Sequence, residues 1–204
     1  MRRRMTRVEQ AAATRAALLA AARAVFLRSG YHGTTVDAVA QEAGFTTGAI
    51  YARFAGKADL FLALLEERVD ERSAQLRALP AGDPLDAGTA VTRQWARILR
   101  SDLDWTLLVV EFRVHAARDP GLAARFAELH GRLVGVLTDV LARLHGGQAP
   151  RERYEALARA GLAMGPGAAL ARAAEGEAFS DELMEEVDAA VAARLLGTRE
   201  GAVS

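Results

Sequence analysis

Between positions 35 and 57 the sequence gathers side chains that suit the binding of phosphate. Thr35, Thr46 and Thr47 stand at the starts of helical stretches, where hydroxyls and unpaired backbone N–H groups point the same way. Lys57 opens a further helix, an unfavourable place for a cation against the helix dipole unless an anion is also nearby. Within this span lies "GFTTGAIYARF", Gly44 to Phe54. A helix built for stability alone would avoid Gly48, since glycine costs about 1 kcal/mol relative to alanine. A missing side chain instead lets backbone approach a partner closely. Any helical hairpin inside a core can share this spacing, so at this level phosphate binding and plain packing both stand.

The elements that must position these groups read as helices. From about Val8 to Ser29, Leu18, Leu19, Ala22, Val25 and Phe26 recur at three- and four-residue steps, and Gly30 is expected to stop that helix. "TTVDAVAQEAG" reads as a second helix, capped by Thr34 or Thr35, favoured by Asp37 in its first turn and ended by Gly44. Thr46 caps a short third helix reaching Phe54, and "AGKADLFLALLEERVDERSAQLRAL" begins a long fourth that stops at Pro80. Further helices are expected at about 85–100, 102–118, 120–145, 151–173 and 180–196, separated by signals such as "RDPG" and "HGGQAP". No strand-like alternation appears. The expected fold is all-α.

In the window from Val36 to Ala55, Ala40 is small where two steeply crossing helices come close, and Gly44 accepts the positive φ of a sharp turn. Ile50 and Phe45 are expected to pin the second helix onto the first, with Val39 and Ala43 filling other buried places. Phe26 and Phe54 are expected in the core.

Composition narrows the function classes. The 204 residues hold no cysteine, which excludes disulfides and thiolate metal sites and suits a reducing cytoplasm. The chain is neutral overall, yet residues 1–60 carry nine Lys/Arg against four Asp/Glu, while the remainder carries 17 against 22. A basic head on an acidic body points to a polyanionic partner for the head. Arg2, Arg3 and Arg4 read either as an arm reaching a DNA groove or as a solvated tail. The apolar run "AALLAAARAVFL" is interrupted by Arg23, so neither a membrane span nor an export signal is expected. His115, His130 and His145 fall on no common metal-binding turn, and no phosphate loop follows a strand. No enzyme, metal or cofactor is expected.

At this point a family resemblance enters. "TRAALLAAARAVFLRSGYHGTTVDAVAQEAGFTTGAIYARFAGKADLFLALL", Thr14 to Leu65, resembles the DNA-binding region of the tetracycline-repressor (TetR) family of transcriptional regulators. Phe26, Gly30, Tyr31, Thr34, Thr35, Ala40, Ala43, Gly44, Gly48, Ile50, Tyr51, Phe54, Lys57 and Leu60 carry the match. The resemblance implies a three-helix helix-turn-helix domain over residues 1–58, with a basic arm at 1–7. A long fourth helix would join it to a ligand-binding and dimerisation bundle over 59–204. It further implies a homodimer on double-stranded DNA with a pseudo-palindromic operator, released by a small-molecule effector. By position, Thr35, Thr46, Tyr51 and Lys57 would hold phosphates, and Thr47, Gly48, Ala49 and Arg53 would face the bases. Thr47 and Ala52 stand where the family often has basic residues, which leaves Arg53 as the charged reader.

The body is less specific. Residues 151–196, rich in alanine and glycine and ending in a stripe of Leu183, Met184, Val187, Val191 and Leu195, suit either ordinary packing within the chain or the dimer contact that the resemblance implies, and Pro166 is expected to kink or break its helix. Trp95, Trp105, Glu111, Phe112, His115 and Phe126 are the pocket candidates, Glu111 and His115 sharing one helical face. A helical dimer that binds small molecules without DNA is the competing expectation.

Overall fold

A computed structural model describes residues 6–79, 102–176 and 179–197. The described residues form eight helices and no strand: α1 (Arg7–Gly33), α2 (Val36–Ala43), α3 (Thr47–Tyr51), α4 (Lys57–Arg77), α5 (Leu103–Ala116), α6 (Pro120–Leu144), α7 (Arg151–Glu175) and α8 (Asp181–Leu196). The helix expected at 85–100, with Trp95, and the Arg2–Arg4 arm lie outside the described residues. The chain divides into two compact units. One holds the chain up to Arg68 together with Leu108–Ala127, and the other holds Val69–Leu107 and Glu128 onward.

In the first unit α1 begins on a reciprocal cap. The Thr6 hydroxyl accepts from Glu9 N–H at 3.2 Å, and the Glu9 carboxylate accepts from Thr6 N–H at 2.7 Å. Leu18, Leu19, Ala22, Val25 and Phe26 face inward, each large one contributing about 1.5–3 kcal/mol through burial. Gly30 stops the regular helix as expected. It breaks it, at φ 70 and ψ 175, and one further turn runs to Gly33. The break redirects the chain so that Tyr31 turns into the core, and the buried Thr34 hydroxyl donates to the Gly30 carbonyl at 2.7 Å.

Around that bend the aromatic rings interlock. Tyr31 meets Phe61 at 5.5 Å and Phe112 at 5.1 Å between ring centroids, both edge-on, and Phe61 meets Phe112 at 4.5 Å. Such pairs add about 0.5–1.5 kcal/mol each beyond their buried area. Burial also pushes the Tyr31 phenol up from its ordinary pKa.

The second unit is built on Leu76, Val134, Leu137, Val140, Leu141, Tyr154, Ala158 and Leu162. Helices α7 and α8 pack against each other there. Arg143 donates to the carbonyl of Leu79 at 3.1 Å and of Arg77 at 3.4 Å, satisfying the open end of α4. Pro166 does not end α7, which continues to Glu175. The missing proline N–H removes one ladder bond, and packing of Tyr154, Ala158, Leu162 and Gly165 holds the rest.

Candidate nucleic-acid interface

The α2–α3 hairpin is assembled from local rules. Thr35, not Thr34, caps α2 by accepting from Ala38 N–H at 3.1 Å. Gly44 closes α2 in the left-handed conformation, φ 69 and ψ 28. Its N–H bonds Gln41 O at 3.2 Å and Phe45 N–H bonds Ala40 O at 3.0 Å, the paired bonds of a Schellman motif. A Cβ at position 44 would meet nothing within 4 Å, so conformation and not space calls for glycine there. Thr46 caps α3, accepting from Ala49 N–H at 3.3 Å. Ile50 is fully buried, with Val39 and Ala40 beneath it in the core. Phe45 departs from expectation. It remains 38% exposed, because the residue just past the left-handed turn leaves the hairpin interior.

What remains outward on α3 is mostly polar or small. Tyr51 is 57% exposed, Thr46, Gly48 and Arg53 are exposed, and Thr47 and Ala49 are half-buried. No packing reason requires glycine at position 48, where an added Cβ would meet nothing nearer than the Thr46 hydroxyl at 3.8 Å. Arg53 bends one guanidinium N–H back to the Ala49 carbonyl at 3.1 Å, using one of its five donors. The Thr47 hydroxyl donates to the Asp37 carboxylate at 2.8 Å.

Lys57 has a role the sequence did not disclose. Its ammonium donates to the carbonyls of Tyr31 at 2.9 Å and His32 at 3.3 Å and lies 4.7 Å from the Tyr31 ring centroid. The cation at the start of α4 is thus offset by the carbonyl-rich end of α1. The same bend is gripped from its other side. Glu111 accepts from Tyr31 N–H at 2.8 Å, and its carboxylate would lie 3.0 Å from any Cβ placed on Gly30.

The pocket candidates separate accordingly. Phe112, His115 and Phe126 belong to the aromatic cluster of the first unit, with His115 5.1 Å from Tyr31 and Phe112 6.1 Å from Phe126, and Glu111 holds the Tyr31 amide beside it. Trp105 is a buried residue of the second unit. An ion pair joins Arg125 to Asp59. Burial pushes the Asp59 carboxyl up, but the Arg125 and Ala55 hydrogen bonds and the charges of Arg125 and Arg15 outweigh it and hold it below its usual range. Among the described residues no cluster of metal-ligating side chains occurs, and no helix is long and apolar enough to cross a membrane. The Thr6–Glu9 cap carries a local signal, the T-x-x-E spacing.

A short recognition-type helix held by a left-handed glycine turn defines a helix-turn-helix protein. Residues 18–64 match the family described as bacterial regulatory proteins, tetR family. Residues 84–197, over half of the chain, match the BetI-type transcriptional repressor C-terminal family. The chain belongs to the TetR family of transcriptional regulators. It is 40% identical over 78 residues to the probable HTH-type transcriptional regulator ArpR of Pseudomonas putida, a match spanning 38% of this chain and 37% of that protein. In fold it is similar to Salmonella enterica GusR, with a TM-score of 0.72 and 21% identity over 90% of this chain and 95% of that one. It is also similar to the multidrug binding protein EbrR complexed with proflavin, with a TM-score of 0.63 and 25% identity over 87% and 99% of the two chains.

Proposed function

We propose that the chain is a ligand-responsive repressor that binds a pseudo-palindromic operator as a homodimer and is released by a small organic effector. The observation that carries the reading is the outward face of α3. Thr46, Gly48, Tyr51 and Arg53 stand exposed on or beside it, Thr47 and Ala49 are half-exposed, and no contact among the described residues requires the glycine. Thr35, Thr46, Tyr51 and Lys57 would hold phosphates, while Thr47, Gly48, Ala49 and Arg53 face base edges. Residues 1–58 act as the DNA-binding head and 59–204 as the effector and dimerisation domain.

Residues 151–196 are the proposed dimer contact. Leu170, Leu183 and Val187 are exposed on α7 and α8, and two copies meeting there would cover them. The similarity to a repressor C-terminal family favours repression over activation. The likeness to a protein bound to proflavin favours an organic effector, with Phe112, His115 and Phe126 of the first unit among the groups that would respond to it. Glu111 and the Asp59–Arg125 pair then give α5 and α6 a direct hold on the bend and on the start of α4.

A salt titration of binding to duplex DNA flanking the protein's own gene tests the reading. The expected result is saturable binding that weakens steeply as salt rises. Lys57→Ala should weaken binding to every sequence alike and reduce the slope against log salt by about one. Absence of saturable binding at low salt would leave a helical small-molecule-binding protein instead.

A further inference from the structure

A hydroxyl carries one proton, and Thr47 has already committed its own. The Thr47 Oγ1–H donates to Asp37 Oδ1 at 2.8 Å, bridging the first turns of α2 and α3. What that hydroxyl can still offer outward is oxygen lone pairs, which accept and cannot donate. The exposed Asp37 sits at the amino end of α2, where the helix dipole favours a negative charge, so the arrangement is held from both sides.

In the major groove each base presents one of two chemistries at its exocyclic position. Adenine and cytosine carry amino groups that donate, and guanine and thymine carry keto oxygens that accept. A free threonine hydroxyl serves either by rotating. One pinned by a carboxylate serves the amino bases alone. Resting on the reading of α3 as the DNA-facing helix, we infer that Asp37 is a specificity-determining residue. It acts through Thr47 and turns that position into a reader of amino bases. Arg53, which retains donors just past the other end of α3, reads the opposite chemistry, the acceptors of guanine. The two ends of one short helix therefore select bases of opposite polarity.

Selection from a duplex DNA pool with randomised half-sites, followed by sequencing, tests this with the full-length wild type, Thr47→Val and Asp37→Ala. In the wild type one position per half-site should favour adenine or cytosine over guanine or thymine on one strand, by about tenfold. Thr47→Val, which keeps the shape and removes the hydroxyl, should flatten that position to within about twofold. Asp37→Ala should flatten the same position, because the freed hydroxyl can again donate, and should leave the Arg53-dependent position intact as an internal control for folding. If the position sensitive to Thr47→Val carries guanine or thymine, the inference is overturned. It also fails if Asp37→Ala leaves the amino preference standing. If wild type enriches sequences but none of their positions responds to Thr47→Val, this inference fails and the regulator reading survives. If wild type enriches nothing, both fall.

Discussion

The α2–α3 turn and helix α7 both concentrate glycine, and they use it for opposite reasons. Gly44 stands at φ 69 where the chain reverses, and the backbone there tolerates little else. Gly161 and Gly167 lie within the continuous helix α7, where an added Cβ would meet nothing within 4 Å. The first glycine is demanded by this chain's own geometry. Among the described residues nothing demands the second kind, so only the first is fixed by the backbone of this chain. A glycine's meaning is therefore legible only when its backbone angle and its surroundings are both known.

Four measurements can break or sharpen that contrast. The largest effect is expected from Ile50→Ala, which empties the fully buried position that pins the turn. It should cost about 2–5 kcal/mol in denaturant unfolding, and a loss under about 0.5 kcal/mol would mean that α3 is not held by that contact. Gly44→Ala forces a side chain into the left-handed region and should cost about 1–2 kcal/mol with no clash involved. Gly161→Ala should do the reverse. Alanine in a helix interior gains about 0.5–1 kcal/mol over glycine, and the thermal midpoint should rise by a few degrees. If both glycines destabilise alike when replaced, the distinction drawn between them is wrong.

The smallest effect concerns the tie beside the turn. Asp59 has its carboxyl held below the usual value in the folded chain, so its stabilisation is full above about pH 4 and is lost as pH falls through the folded value. Asp59→Asn should therefore lower the thermal midpoint at pH 7 and converge with the wild type only as pH falls below the folded value. A constant gap across that range would show that the carboxylate's charge is not what stabilises.

How much was legible follows the range of the interactions. The Thr35 and Thr46 caps, the Gly44 turn and the burial of Ile50 each depend on neighbours a few residues away, and the spacing displays them. Phe45 was misplaced because a left-handed turn changes which side the next residue faces, and periodicity does not carry across such a turn. Pro166 shows a complementary limit: of the kink or break expected, the break does not occur. Proline's local penalty was plain, but the tertiary packing that outweighs it was not.

By itself the sequence determined the order and approximate bounds of the described helices, the hairpin near the amino end, and the polar and basic groups gathered around it. These follow from backbone propensity, capping and apolar spacing, which act within a turn or two. Tertiary structure alone decided how those groups are used. It placed Glu111 against the Tyr31 amide from 80 residues away, turned Lys57 onto two carbonyls, and set Asp37 to fix the polarity of Thr47. A hydrogen bond's direction depends on which partner the fold brings within about 3 Å, and no spacing along the chain encodes that distance.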